Sequence, residues 1–175
     1  MKKTIFKYGL ISGLIVSFTL MLSAIIGIEE VMMGDWGMVV GFGSMIIAFA
    51  FIFVGIKSYR DNYSNGTITF GKALQVGLLI SLIASTFYVL TWLVEYYMLY
   101  PDFMEKYIAM CMEKAKQAGK TAEELRKMNE DFKFSRKMYS TPLGVALVTY
   151  TEILPLGILV SLIAALVMKR KYVKA

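Results

Sequence analysis

Four long apolar runs constrain the fold of this chain more than any other feature of its sequence. A helix needs about 20 apolar residues to cross the roughly 30 Å hydrocarbon core of a bilayer. Hydrophobic residues make up 57% of the 175-residue chain, which is more than a soluble domain of this size usually holds. The sequence therefore predicts an all-α integral membrane protein with a single domain over residues 1–175. The predicted spans are residues 8–28, 38–56, 73–94 and 142–168.

The first run also follows two lysines, as the apolar core of a signal peptide would. That core is usually about 7–15 residues long and ends in a small-residue cleavage site. Residues 8–28 are uncharged throughout, and Leu22, Ser23 and Ala24 make a poor cleavage site. We therefore predict that the run is retained as a helix.

Lys and Arg residues flank the runs unevenly, which predicts the orientation. The N-terminus, the loop over residues 57–72 and the C-terminal tail are basic, whereas the loop over residues 29–37 holds only acidic charges. Cytoplasmic loops of membrane proteins carry the excess of Lys and Arg. Both termini and the loop between the second and third runs are predicted to be cytoplasmic. The net charge of +6 then indicates topology and lipid-headgroup contacts rather than nucleic-acid binding.

Residues 100–141 are predicted to form an extracytoplasmic helical hairpin between the third and fourth spans. Gly119 is expected to end its first helix, and Thr121 with Glu124 has the spacing of a capping box at the start of the second. The only cysteine, Cys111, falls in this segment.

Small residues at four-residue steps predict close helix packing, because they let a neighbouring backbone approach in lipid. The pattern of Gly, three apolar residues and Ser begins at Gly13, Gly77 and Gly157. It serves packing within the bundle or a homodimer equally well, and we favour the bundle. The predicted packing residues are Gly9, Gly13, Ser17, Gly37 and Gly41.

Two carboxylates within or near the predicted spans are candidate functional residues, because an ionisable group at membrane depth usually faces a bundle interior or water. Glu152 and Glu95 fall at similar predicted depths, and together they could share a proton or bind a cation beside the hydroxyls of residues 149–151. The alternative places Glu95 in water within an aromatic belt and gives Glu152 a hydrogen bond from a belt tyrosine. The belt would comprise Trp92, Tyr96, Tyr97 and Tyr100.

The loop before the third span contains GTITFGKA, which resembles a phosphate-binding loop. Ala73 stands where such a loop needs Ser or Thr to bind magnesium, and the neighbouring runs are membrane helices. The segment therefore predicts no nucleotide site. Instead, Thr69 is expected to cap a helix, with Ile68 and Phe70 at the headgroup boundary.

The charged residues of this loop have separate predicted contacts. Arg60 and Asp61 are adjacent in sequence and are not expected to need each other as partners. Arg60 is predicted to reach lipid phosphates or the C-terminal end of the second helix. Asp61 is predicted to cap the turn or to contact Lys72.

The wider segment GIKSYRDNYSNGTITFGKALQVGL, with the later YPDFMEKY, resembles a bacterial inner-membrane family known as domain of unknown function 4199. The resemblance implies a four-helix membrane domain with an extramembrane insertion before the last helix, and it implies no activity. The loop residues that carry it include Tyr59, Arg60, Asp61, Gly66, Phe70 and Lys72, with Gly55, Ile68, Ala73 and Gly77 around them and Pro101, Asp102 and Phe103 later.

The chain contains no His, one Cys and no recognisable catalytic or metal-binding constellation. We therefore predict no cofactor and a non-enzymatic accessory or assembly component of the membrane, with a protein partner or a second copy on its small-residue helix faces. A small transporter or ion pathway that uses Glu152 and Glu95 is the alternative.

Overall fold

The computed structural model describes residues 1–26 and 37–170, and nearly all of these residues are helical. The predicted all-α class is confirmed, since these residues form helices and no strand longer than one isolated β-bridge pair, Ile68 with Arg170. The helices are α1 (Lys2–Ile26), α2 (Gly37–Tyr63), α3 (Phe70–Met98), α4 (Phe103–Gln117), α5 (Ala122–Tyr139) and α6 (Pro142–Met168).

Four of the described helices, α1, α2, α3 and α6, are long and apolar enough to cross a membrane. The described part of α6 has the predicted bounds, whereas α1 and α3 begin earlier than predicted and α2 and α3 end later, because helix ends depend on capping groups and turns rather than on hydropathy. Thus α2 continues to Tyr63, and α3 begins at Phe70. The acidic loop after α1 and residues 171–175 lie outside the described residues.

The four long helices form one bundle. Helix α1 packs on α3 and α2, α6 packs on α3 and α2, and α2 also contacts α3. The chain direction makes α1 and α3 parallel neighbours and α3 and α6 antiparallel ones. We call the end where α3 stops and α6 begins the α4–α5 end, and the opposite end the termini end.

Side-chain caps fix where three helices begin. The Thr69 hydroxyl accepts from the Lys72 N–H at the start of α3, as the sequence predicted. Thr121 and Glu124 form a full capping box at the start of α5. Thr141 caps α6 ahead of Pro142, a residue that suits the first helical turn because that turn needs no N–H donor there.

The helices α4 and α5 pack on each other, and α5 also contacts α6. Arg136 of α5 donates from Nε to Glu105 of α4 at 3.1 Å. The Tyr96 hydroxyl of α3 donates to the Tyr139 carbonyl of α5 at 3.2 Å. These contacts hold the pair across one end of the bundle.

The bundle is tightly packed toward the termini end. Phe49, Ile52 and Ile56 of α2 are fully buried there, as is Ile80 of α3. Such interdigitated apolar packing leaves few voids. The packing is different toward the α4–α5 end, where a cavity opens.

Candidate ligand-binding cavity

A cavity of about 400 Å³ lies among the six described helices at the α4–α5 end of the bundle. Its walls come from the second half of α1, the first half of α2, and parts of α3 and α6. Residues of α4 and α5 complete the lining. The cavity is only partly enclosed.

Two glycines in the first half of α2 have open space beside them. At Gly41 and Gly43, no described atom outside the local helix lies within 4 Å of the position that a Cβ would take. Gly41 lines the cavity, and one helical turn later the buried Met45 forms part of its wall. Farther along α2, Phe49 and Ile52 fill the bundle interior.

Glu152 is the only charged side chain among the described residues that line the cavity. It lies ten residues into α6, or about 15 Å from the start of that helix at 1.5 Å per residue. Its side chain remains exposed because the cavity is open beside it. The Tyr88 hydroxyl of α3, which also lines the cavity, lies near this carboxyl group.

Four hydroxyl side chains on the cavity wall donate hydrogen bonds to backbone carbonyls of their own helices. Thr19 donates to Ile15 and Ser23 donates to Thr19, both to backbone carbonyls. In the same way, Ser44 donates to the Gly41 carbonyl, and Thr149 donates to the Val145 carbonyl. Each of these hydroxyl oxygens can still accept a hydrogen bond from a ligand in the cavity.

Aromatic side chains from three helices meet at the α4–α5 end of the cavity. The Trp92 ring packs edge-on against Phe103 with centroids 4.9 Å apart, and Phe103 stacks on Tyr107 at 6.1 Å. Burial raises the pKa of Tyr139 to about 12, and the charge of Glu152 acts in the same direction. Burial also raises the pKa of Tyr107. Both phenols therefore stay neutral near neutral pH.

Glu95, the second predicted carboxylate, lies outside this cavity lining. It is 3% exposed, and neither carboxylate oxygen has a hydrogen-bond partner in the described part of the chain. It sits on α3 one turn after Thr91, whose hydroxyl donates to Ser17 of α1 at 2.8 Å. Glu95 therefore faces the seam between α1 and α3, and no hydrogen bond among the described residues joins it to Glu152.

Two of the four aromatic residues predicted to form a belt at the membrane surface are buried within the protein instead. Trp92 and Tyr96 are 4% and 7% exposed, because α4 and α5 cover them. Tyr97 is exposed, and Tyr100 donates from its hydroxyl to the Ala24 carbonyl of α1 at 2.8 Å. The alternative that placed Glu95 in water is also wrong, since its side chain is buried.

The charged residues on either side of the turn between α2 and α3 contact other protein groups than those predicted. Arg60 donates from Nε to its neighbour Asp61 at 2.7 Å, although adjacent residues were not expected to pair. Its guanidinium also reaches the Met168 carbonyl at 3.4 Å, which is the end of α6 rather than of α2. Lys72 donates to Gln75 and not to Asp61.

The remaining loop residues form a turn at the termini end. Gly66 has a backbone φ angle of +75°, a left-handed conformation that suits glycine. The Tyr59 ring stacks on the Tyr63 ring with centroids 5.9 Å apart. Phe70 is partly exposed, whereas Ile68 is 5% exposed and joins the core instead of the headgroup boundary. The bridge to Arg170 holds Ile68 inward.

The residues predicted to pack helices together differ in what they contact. A Cβ on Gly9 would lie 2.8 Å from Ile83, and one on Gly13 would lie 2.8 Å from Phe87, so both glycines pack on α3. Ser17 is buried one turn later in the same seam. Gly41 does not pack on another helix in the described structure and forms cavity wall instead, which corrects the prediction. Gly37 begins α2, and its surroundings lie outside what the structure describes.

Sequence reasoning found Glu152 with the nearby Thr149 hydroxyl, but it did not predict a cavity or the lining from other helices. Tyr88 and Trp92 are four residues apart on α3, a spacing that puts two aromatic rings on one helix face. That spacing was a usable signal. The contributions of Phe103 and Tyr107 depend on how α4 folds back over the bundle, which no local pattern reports.

The family model described as Protein of unknown function (DUF4199) matches residues 7–170, nearly the whole chain. No curated protein and no solved structure matches it. The resemblance seen in the loop before α3 is thereby confirmed. The chain belongs to the DUF4199 family of proteins of unknown function.

Proposed function

We propose that this protein is a non-enzymatic integral membrane component that binds a small ligand in the cavity beside Glu152. The observation that carries the proposal is the cavity itself, with one carboxylate set among apolar, aromatic and hydroxyl side chains. Small-molecule sites are typically clefts of about 300–1,000 Å³ with a mainly apolar lining and a few convergent polar groups.

The four long apolar helices support a setting in the bilayer. The proposed membrane is the bacterial inner membrane, with both termini in the cytoplasm. Basic residues at the termini end support that orientation, among them Lys2, Lys57 and Lys169. The α4–α5 end, with the mouth of the cavity near it, would then face the extracytoplasmic side.

Native mass spectrometry of the protein extracted from its own membrane in mild detergent tests ligand binding. We expect an added small-molecule mass on the unaltered protein. Gly41→Leu should remove that mass, because the new side chain would project into the cavity without meeting a neighbouring helix.

Gly43→Leu is the matched control. It makes the same chemical change on the same helix at a position that also has open space but does not line the cavity. Loss of the added mass from both variants, or from neither, would contradict binding in this cavity.

An accessory role also predicts a protein partner in the membrane. Crosslinking in the native membrane, followed by extraction in mild detergent, should recover the same partner repeatedly. Repeated recovery of a lone monomer would count against this part of the proposal.

A small transporter or ion pathway is the second candidate, favoured by the Glu152 carboxylate in the cavity and the buried, unpartnered Glu95. The packed residues Phe49, Ile52 and Ile80 stand between the cavity and the termini end. Transport would therefore require these helices to move apart. In reconstituted vesicles, a pathway through Glu152 predicts a pH- or ion-dependent flux that Glu152→Gln abolishes, and an unchanged flux would exclude it.

A further inference from the structure

Resting on the proposed function, we infer that the cavity takes a small organic monocation. Its ammonium group would lie beside Glu152 and its apolar body against the aromatic rings. Three independent properties of the lining lead to this ligand class: its charge, the polarity of its hydrogen-bonding groups and its aromatic content.

The charge of the lining is negative and uncompensated within the cavity. Glu152 is present, and no Lys or Arg belongs to the described residues that form the wall. A carboxylate at membrane depth is costly to hold charged unless an opposite charge accompanies it. One monovalent cation beside Glu152 would offset that cost, whereas an anionic ligand would add to it.

Four hydroxyls of the wall offer the cavity an oxygen that accepts rather than a proton. The hydroxyls of Thr19, Ser23, Ser44 and Thr149 each donate to a carbonyl of their own helix. The Tyr88 hydroxyl has the Glu152 carboxyl group as its neighbour. A ligand that brings its own donors or positive charge matches these four oxygens and the carboxylate.

Aromatic rings surround the space next to the carboxylate. Tyr88 and Trp92 of α3 and Phe103 and Tyr107 of α4 all line the cavity. The face of an aromatic ring attracts cations, and ammonium groups bound between aromatic rings are a recurring use of this attraction. The same rings offer apolar surface to the rest of an organic ligand.

An inorganic cation fits the wall less well. Such ions are held by several oxygen ligands at short distances around the ion. Here the Thr and Ser hydroxyls are spread over several helices, and the wall also contains apolar residues such as Leu20, Met45 and Val148. The space suits a bulky cation that keeps few hydrogen bonds.

Trp92 supplies a direct optical probe, because the chain has only one other tryptophan, Trp36. In a Trp36→Phe background, the fluorescence of the detergent-solubilised protein is titrated with benzyltrimethylammonium, benzyl alcohol and benzoate. Isothermal titration calorimetry of the unaltered protein repeats the measurement in case the background substitution disturbs folding.

We expect a saturable response to benzyltrimethylammonium, with at least about tenfold weaker responses to the neutral and anionic probes. Glu152→Gln should weaken binding of the cation by about tenfold or more, since it removes the opposing charge. Gly41→Leu should abolish the response, and Gly43→Leu should leave it unchanged.

Two different results would separate the proposal that the ligand is an organic cation from the proposal that the cavity binds a ligand at all. If benzyl alcohol binds as tightly as the cation and Glu152→Gln has no effect, while Gly41→Leu still abolishes binding, the ligand class is wrong but the binding site stands. If none of the three probes gives a saturable response that Gly41→Leu removes, and the native protein carries no added mass, ligand binding itself is overturned.

Discussion

Gly157 of α6 lies so close to Ser81 of α3 that a Cβ at Gly157 would overlap the Ser81 hydroxyl. The relationship is reciprocal, because a Cβ on Gly77 of α3 would lie 3.0 Å from the Ser161 Cβ of α6. Each helix thus places its glycine opposite the serine of the other. This antiparallel pairing brings the α3 and α6 backbones together on the termini side of the cavity.

Replacing Gly157 by Ala should destabilise the bundle, because the added methyl group forces α3 and α6 apart. Overpacking of this kind costs about 1–3 kcal/mol. Thermal unfolding in detergent should show a lower midpoint for Gly157→Ala, and Ser81→Gly should restore part of the loss in the double variant. Gly43→Ala serves as the control, since space is open there. Equal midpoints for Gly157→Ala and Gly43→Ala would argue against the close contact.

The repeated pattern of glycine and serine shows how far sequence alone could lead. Spacing predicts that Gly77, Ser81, Gly157 and Ser161 lie on helix faces suited to close packing, but not which faces meet. Gly41 has a similar spacing and lies against no other described helix. Which helix faces meet is decided by tertiary packing, which local spacing does not contain.

The candidate site, too, could be predicted only in part from the sequence. The position of Glu152 within a long apolar run is a local property, so its importance could be inferred from the sequence. Its neighbour Tyr88 lies on a different helix, 64 positions away by the residue numbers. The unexpected Arg60–Asp61 pair likewise depends on side-chain conformation at the end of α2. Contacts of this kind follow from packing and are not encoded in spacing.

Glu95 should reduce stability where it stands, because its buried carboxyl oxygens lack partners among the described residues. An unsatisfied buried polar group costs about 1–3 kcal/mol. Glu95→Met keeps a similar length without polar atoms, so we expect a higher unfolding midpoint in detergent. Glu113→Met, at an exposed site on α4, should change the midpoint little. A lower midpoint for Glu95→Met would mean that the carboxyl group has a stabilising partner.

Ile68 and Phe70 should respond differently to truncation although they are two residues apart. Ile68 is 5% exposed and Phe70 is 37% exposed. Removing a buried isoleucine side chain to alanine typically costs about 2–5 kcal/mol. Ile68→Ala should therefore lower the unfolding midpoint clearly more than Phe70→Ala does. The opposite order would place Ile68 at the surface, as the sequence alone suggested.

Glu124 gives the start of α5 a specific pH dependence. Hydrogen bonds from the Thr121 backbone N–H and hydroxyl, each 2.8 Å long, hold the pKa of Glu124 below its usual 4.5. Because the folded-state pKa is lowered, the stabilising contribution is present above the unfolded-state value and disappears as the pH falls through the folded-state value.

The measurement compares amide hydrogen exchange in the first turn of α5 between the unaltered protein and Glu124→Ala at matched pH. The unaltered protein should be better protected near neutral pH, and the difference should close as the solution is acidified. Thr121→Ala should return the pKa of Glu124, followed by carboxyl carbon NMR, toward 4.5. A difference in protection that persists after Glu124 is protonated would show that the charge is not responsible.

Cys111 provides the test of orientation, because it is the only thiol in the chain and lies on α4 with partial exposure. With α4 and α5 outside the cytoplasm, a membrane-impermeant maleimide should label Cys111 in intact spheroplasts. The matched control is Asn62→Cys in a Cys111→Ala background, which puts a thiol at an exposed position near the end of α2. That thiol should react only after lysis. The reverse pattern, with Asn62→Cys labelled in intact spheroplasts and Cys111 only after lysis, would invert the proposed topology and turn the cavity toward the cytoplasm.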